Sequence, residues 1–402
     1  MNELCIDMGF VNLNKYGEQL CGDHVEIVPL EDKLTVMVLA DGLGSGVKAS
    51  ILSTLTAKII STMMANLLTV EDCVDTIAAT LPVCRERQIA YSTFTIIRIA
   101  DNQDAEIIQY DNPHVILLRQ GKNFDYPKTT QIVEDSSTNK NLSIGRKIIY
   151  KTRLEIHEDD TFIAMSDGAA HAGSGRTLNL GWQRENIISF MEGVYNREYT
   201  AKTLSSILLD KCYSLYGGEP GDDTTICTVK IRRRQSVSLL IGPPLNPAEV
   251  PKMMSLFFSK EGKHIICGGT TSALAAEFLG KPLETGIPRY ADPDIPPTAK
   301  ISGVDLVTEG AVTIHKVLEY AQDYIRDNGS YARWNSGKDG ASEIARLLFE
   351  EATDINFYAG RAVNPAHQNP DLPVSFNIKM RLVDELASCL KEMGKRIKVS
   401  YF

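Results

Sequence analysis

The sequence predicts an α+β fold with antiparallel sheets, followed by a C-terminal α/β domain. Three observations carry this. Up to about residue 232, short apolar, β-branched runs alternate with Asp, Asn, Gly and Pro, and the helical patterns are segregated from them. Past Arg232-Arg233-Arg234-Gln235 the order changes to strand, helix, strand. A length of 402 residues suits two or three domains.

In chain order, Leu34–Ala40 reads as a strand running into Asp41-Gly42. Val47, Ile51, Leu55, Ile59, Met63 and Leu67 then recur every four residues, widened by Leu52, Ile60, Met64 and Leu68, which predicts a long helix over 47–68 with a broad apolar face. A second helix is expected over 71–80. Ser92–Ile99, Glu106–Tyr110 and Val115–Arg119 read as strands, with Asp111-Asn112-Pro113 as a turn. Asp160–Met165 is a strand ending near Asp167-Gly168, and Thr224–Lys230 one that follows Gly221-Asp222-Asp223. Helices are expected near 183–192 and 200–215.

The three arginines read as a solvated domain edge, dividing the chain into domains 1–234 and 236–402. In the second, Ser238–Ile241, His264–Cys267, Ile355–Ala359 and Ile397–Tyr401 read as strands. Pro247–Ser259, Ser272–Leu279, Val312–Ile325, Ser342–Glu351 and a segment within Ile378–Met393 read as helices. Cys267-Gly268-Gly269-Thr270-Thr271 reads as a tight turn, and five prolines from Pro282 to Pro297 require an extended loop. An internal echo joins Gly242-Pro243-Pro244-Leu245-Asn246-Pro247-Ala248 to Gly360-Arg361-Ala362-Val363-Asn364-Pro365-Ala366. Each copy follows an apolar strand and precedes a helix, with Asn246 and Asn364 as N-caps and proline at N1. The two units read as related β-α-β crossovers.

Composition excludes several classes. Hydrophobic residues at 43% and charged residues at 23% exclude wholesale disorder. Lys and Arg total 42 against 51 Asp and Glu, a net charge of −9, which argues against nucleic acid or an anionic membrane surface as partner. The eight cysteines form no Cys-x-x-Cys pair and the seven histidines no ligand spacing, so structural zinc is unsupported. Scattered cysteines and the lack of a signal-peptide pattern fit a cytoplasmic protein. Lys48, Lys58 and Asn66 interrupt the longest apolar segment, so no membrane span is expected.

The chemistry lies in four aspartates beside glycine at strand ends: Asp23 in Cys21-Gly22-Asp23-His24, Asp41 before Gly42, Asp167 before Gly168, and Asp222 after Gly221. An apolar strand running into Asp-Gly places a carboxylate on a sheet rim and lets backbone or ligand approach closely. Several carboxylates on one rim repel unless cations hold them, and oxygen donors suit Mg²⁺ or Mn²⁺. One Asp-Gly step is an ordinary turn; four in this order are hard to explain as capping alone.

These motifs resemble a known family. Lys15 to Asp23, Ala40-Asp41-Gly42-Leu43-Gly44-Ser45-Gly46-Val47-Lys48-Ala49, Tyr91 to Ile96, Ser166-Asp167-Gly168 and Gly221-Asp222-Asp223-Thr224-Thr225 are similar to the SpoIIE-type bacterial branch of the metal-dependent (PPM, type 2C) protein phosphatases. The resemblance covers residues 1 to about 232. It implies a central β-sandwich flanked by helices and a two-metal site. Asp41 would bridge both ions, Asp167 and Asp222 would complete one shell, and Asp23 with the Gly42 carbonyl would hold the other. Asp223 aligns with a position that is often not a direct ligand. The implied reaction is hydrolysis of phosphoserine or phosphothreonine in a partner protein, such as an anti-sigma-factor antagonist, by a hydroxide bridging two Mn²⁺ or Mg²⁺ ions. The 47–68 helix is implied to be a regulatory switch and a homodimer contact. The arginine and histidine that eukaryotic relatives use for phosphate binding and proton donation have no counterpart in these motifs, and the strand position of His24 points it away.

An alternative is a catalytically weak signalling scaffold whose C-terminal domain binds a small ligand. The four intact aspartates speak against it. A metal-dependent nuclease fits the carboxylates but not the acidic charge.

Overall fold

The computed structural model describes residues 3–30, 34–80, 92–133, 147–285, 298–326, 331–362 and 378–402. Most of the proline-rich loop and Asn364-Pro365 of the echo lie outside them. Two compact units form, Met1–Arg233 and Arg234–Phe402.

The first unit contains β1 (Leu4–Leu13), β2 (Asp23–Leu30), β3 (Leu34–Asp41), α1 (Gly46–Ala65), α2 (Val70–Thr80), β4 (Thr93–Ala100), β5 (Asp104–Tyr110), β6 (Ile116–Arg119), β7 (Lys122–Asn123), β8 (Thr129–Val133), β9 (Lys147–Glu155), β10 (Thr161–Met165), α3 (Asp167–His171), α4 (Arg184–Val194), α5 (Ala201–Leu215) and β11 (Thr224–Arg233). Two antiparallel sheets, ordered β1-β11-β10-β6-β7 and β2-β3-β4-β5-β9-β8, face each other. Strand alternation builds the layers. Val25, Met37 and Leu39 meet Phe162, Ala164, Cys227 and Val229 between the sheets. Val36, Val38 and Ala40 face the other way, onto α1 and α2. Ile163, Met165 and Ile226 face the layer of α4 and α5. The unit is therefore an α+β sandwich of antiparallel sheets flanked by helices.

The long strand β1 escapes sequence reading because its pattern is broken by Asp7, Gly9 and Asn12. Tertiary contacts explain two of these. The Asp7 carboxylate accepts the Ala201 N–H at 3.0 Å and pairs with Arg232. A Cβ on Gly9 would lie 2.3 Å from the Lys202 backbone nitrogen, so the start of α5 crosses directly over the strand.

One expectation holds only in part. Of the expected apolar face of α1, Ile60 and Met64 are buried and Leu52, Ile59 and Met63 pack against the core, but the N-terminal part of the stripe does not. Ala49, Ser53, Thr56, Ala57, Ile60, Ser61 and Met64 are buried, whereas Val47, Ile51 and Leu55 are 61%, 54% and 42% exposed. The small residues bring α1 close to β2 and β3, and the Ser53 and Ser61 hydroxyls donate to carbonyls of their own helix, which lets them be buried without loss.

The second unit contains β12 (Ser236–Ile241), a 3₁₀ turn (Pro247–Glu249), α6 (Val250–Phe258), β13 (Lys263–Cys267), α7 (Gly269–Leu279), β14 (Glu284–Thr285), β15 (Ala299–Lys300), β16 (Leu306–Thr308), α8 (Ala311–Arg326), α9 (Tyr331–Asn335), α10 (Gly340–Ala345), β17 (Asp354–Ala359), α11 (Ile378–Glu392) and β18 (Arg396–Tyr401). The helix expected over Ser342–Glu351 ends at Ala345 and continues as a π turn over Arg346–Glu351. The sheet order is β14-β15-β16-β13-β12-β17-β18, and from β16 to β18 every pairing is parallel. α6 and α7 cover one face, and α8, α10 and α11 the other. The Asn246 side chain accepts the Ala248 N–H at 3.1 Å, capping the turn as its Asn-Pro step implies.

Candidate metal centre

Asp23 opens β2 and Asp41 closes β3, and the antiparallel register sets them directly opposite each other. Both share the odd parity of Val25, Met37 and Leu39, so alternation directs them to the inner face of the sandwich at its rim. Like charges directly opposite on neighbouring strands are destabilising, with Cβ atoms only about 5 Å apart.

Asp23 is buried, and neither of its carboxylate oxygens makes a hydrogen bond. The nearby hydroxyls of Ser166 and Thr225 pull its pKa down, and Ser166 Oγ is itself held by the Thr225 N–H at 2.9 Å. Burial wins and pushes the Asp23 carboxyl up to about 7, with Asp223 and Asp167 adding repulsion. Asp41 is pushed up to about 9, first by burial and then by the charges of Asp23, Asp167 and Asp222. Burial and Asp222 raise Asp167, while His171, one turn along α3 with Nε2 at 3.8 Å from Oδ2, opposes the shift.

The adjacent pair Asp222-Asp223 divides its contacts. Asp222 acts electrostatically on Asp41 and Asp167. Asp223 is buried, its Oδ1 accepts the Lys15 N–H at 2.9 Å, and its Oδ2 is buried without a hydrogen bond. His24 lies on the opposite parity of β2 from Asp23, with Nε2 at 3.3 Å from Glu26, whose carboxylate also pairs with Lys58 of α1.

The glycines of the Asp-Gly steps are required by close backbone packing. A Cβ on Gly42 would lie 2.2 Å from the Ala49 carbonyl oxygen, and one on Gly168 would lie 2.2 Å from the Asp223 carbonyl oxygen. The Gly42 N–H donates to Gly22 O at 3.1 Å, tying the Asp41 loop to the Asp23 loop. Sequence reading assigned no role to three supports of this rim: Ser166, Gly22 and Tyr216, whose hydroxyl donates to Gly168 O at 2.7 Å. Ser166 and Gly22 lie inside the quoted motifs and so carried a local signal; Tyr216 carried none.

The donor set suits a hard divalent cation. It is all oxygen, it is mutually repulsive, and buried oxygens of Asp23 and Asp223 lack hydrogen bonds. Among the described residues no three acidic, His or Cys side chains close into a ready-made metal cage. The carboxylates instead act on one another electrostatically: Asp23, Asp167 and Asp222 on Asp41, Asp223 and Asp167 on Asp23, and Asp222 on Asp167.

Residues 31–232 match the family model described as stage II sporulation protein E (SpoIIE). The chain belongs to the SpoIIE family. Asp41, Asp167 and Asp222 lie inside the matched span, and Asp23 precedes it. Among solved structures, the PP2C phosphatase domain of SpoIIE from Bacillus subtilis with a fragment of its regulatory domain is 17% identical, with a TM-score of 0.46, covering 58% of this chain and 64% of that one. The phosphatase domain of the same protein in a crystal form without domain swapping is 16% identical, with a TM-score of 0.42, covering 57% and 94%. RsbX in complex with magnesium is 19% identical, with a TM-score of 0.38, covering 57% and 97%. No curated protein matches the sequence. SpoIIE membership and the sandwich agree with the SpoIIE-type phosphatase resemblance of the sequence motifs. No helix among the described residues is long and apolar enough to cross a membrane.

Proposed function

We propose that this protein is a metal-dependent serine/threonine phosphoprotein phosphatase. The observation that carries the reading is the directly opposed pair of buried Asp23 and half-buried Asp41, with Asp167 and Asp222 acting on the same rim. Two Mn²⁺ or Mg²⁺ ions bound there would supply a water of lowered pKa as nucleophile and offset phosphoryl charge. Asp41, central to the set, would bridge the ions. Asp23 and the Gly42 carbonyl would hold one, and Asp167 and Asp222 the other. Asp223, anchored by the Lys15 N–H, would steady the Asp23 side of the rim. The burial that raises Asp23 and Asp41 makes the set bind cations in preference to standing ionised and alone. With Mn²⁺, the full chain is expected to release phosphate from phosphoserine or phosphothreonine peptides, and with excess EDTA to release none. Equal release in both would overturn the reading.

The substrate proposed from the family is a small regulatory phosphoprotein, such as an anti-sigma-factor antagonist, in the cytoplasm. The buried thiols Cys212, Cys227 and Cys267, none in a disulfide, agree with a reducing compartment. We also assign the exposed Val47, Ile51 and Leu55 stripe of α1 to a homodimer contact. Leu55→Asp is expected to change unfolding stability by no more than about 0.5 kcal/mol, as exposed substitutions do, and to convert dimer to monomer in light scattering. A parent chain that is monomeric at every concentration would remove this contact.

A further inference from the structure

The echo segments of the second unit have no role in phosphatase chemistry, and the topology gives their first residues, Gly242 and Gly360, a common location. In the parallel sheet, the chain adds β13 and then β16 on one side of β12, and β17 and then β18 on its other side. The helix after β12 packs on one face and the helix after β17 on the opposite face. The strand order therefore reverses between β12 and β17. In open α/β sheets the carboxyl ends of the strands at such a reversal are where ligands bind. Gly242 and Gly360, the first residues of the two echo segments, sit at these two strand ends.

The side chain delivered to that point is Lys379, in the first turn of α11. Its ammonium donates to Ala362 O at 3.0 Å, and a Cβ built on Gly242 would lie 2.2 Å from its Nζ. A Cβ on Gly360 would lie 2.0 Å from Pro243 O, and the Ala362 N–H donates to the same carbonyl at 3.2 Å, so two side-chain-free loops make one lip. The Gly242 N–H is held by Thr271 Oγ1 at 3.0 Å, which fixes the lip against α7. Lys379 is half-buried, and among the described residues no carboxylate offsets it. Burial pulls its ammonium below the ordinary lysine range. A lysine of this kind is a point-charge partner for phosphate.

We propose that the second unit binds a phosphate-bearing small molecule at the carboxyl ends of β12 and β17, with Lys379 pairing its phosphate at the lip formed by Gly242, Pro243, Gly360 and Ala362. Every residue named for the site belongs to the second unit.

The test uses the full chain in EDTA, so that phosphate binding through metal ions is suppressed. Pyrophosphate and ATP are titrated by thermal shift and calorimetry, with sulfate as a control for general ionic effects. The proposal expects saturable binding of at least one of the two, weakened tenfold or more by Lys379→Gln and largely kept by Lys379→Arg, with Mn²⁺-dependent phosphopeptide hydrolysis unchanged in both. Amine-reactive footprinting read by mass spectrometry gives an answer that does not depend on a variant folding: the bound ligand should protect Lys379, and sulfate at equal ionic strength should not. Failure of both ligands to bind, equal affinity in Lys379→Gln, or protection by sulfate equal to that by pyrophosphate would overturn it.

Discussion

Asp41→Asn is expected to lose metal-dependent phosphate release by on the order of 10²–10³-fold and, in the absence of metal, to be more stable than the parent at alkaline pH. Both effects follow from one carboxylate. In the folded chain Asp41 is pushed up to about 9 by burial and by Asp23, Asp167 and Asp222, against an ordinary value of 3.8. Between those values the folded state binds more protons than the unfolded state. Stability of the metal-free protein must therefore fall as pH rises from about 4 towards 9. Asp23, raised to about 7, adds to the same slope over the lower part of the range. Asparagine at position 41 removes one titration, so the two stability curves should diverge as pH rises and differ most above neutrality. Mn²⁺ should raise the melting temperature of the parent most where its carboxylates are ionised, and that of the variant far less. Parallel pH-stability curves, or equal metal stabilisation of both proteins, would refute the assignment of Asp41 to the centre of the site.

Gly42→Ala should also be severe, for a steric reason. The new Cβ would lie 2.2 Å from Ala49 O, 2.6 Å from Ala49 C and 2.7 Å from Gly22 O. All three atoms are backbone, so no side chain can rotate away. Either the first turn of α1 or the loop carrying Asp41 must move. Overpacking of this type costs about 1–3 kcal/mol, and because Asp41 is the preceding residue, activity should fall by more than the loss of folded protein explains. Gly44→Ala is the matched control. Gly44 has φ of +96° and nothing near its missing Cβ, so alanine there adds backbone strain of about 1–2 kcal/mol without pressing on the site. Urea unfolding with Mn²⁺-dependent turnover separates the two. Equal losses of specific activity would show that backbone packing at Gly42 does not set the geometry.

Most strand positions of the first unit were legible because each depends on its own neighbours: an apolar, β-branched run and the glycine that ends it. The strand Leu34–Asp41 was expected within one residue of its end. The four aspartates were legible for the same reason, since Asp-Gly at a strand end is a local pattern. β1 was not, because Asp7 and Gly9 make sense only once Arg232, Ala201 and Lys202 stand beside them. The face of α1 was legible only in its second half, where Ile60 and Met64 are buried, for a related cause. A regular stripe shows that a helix is amphipathic, but the closeness of β2 and β3 decides which side is buried, and here the side of Ala49, Ser53 and Ala57 fits.

By itself the sequence determined the α+β and α/β division and the aspartates at the Asp-Gly strand ends, all set by residues within a few positions of one another. Only the tertiary structure decided that Asp23 and Asp41 stand directly opposite, that α1 presents Val47, Ile51 and Leu55 outward, and that Gly242 and Gly360 stand at the strand ends where the strand order of the second unit reverses. Register, face and strand order are relations between segments distant in the chain. They are fixed by the burial and packing of both partners together, which no local window of sequence contains.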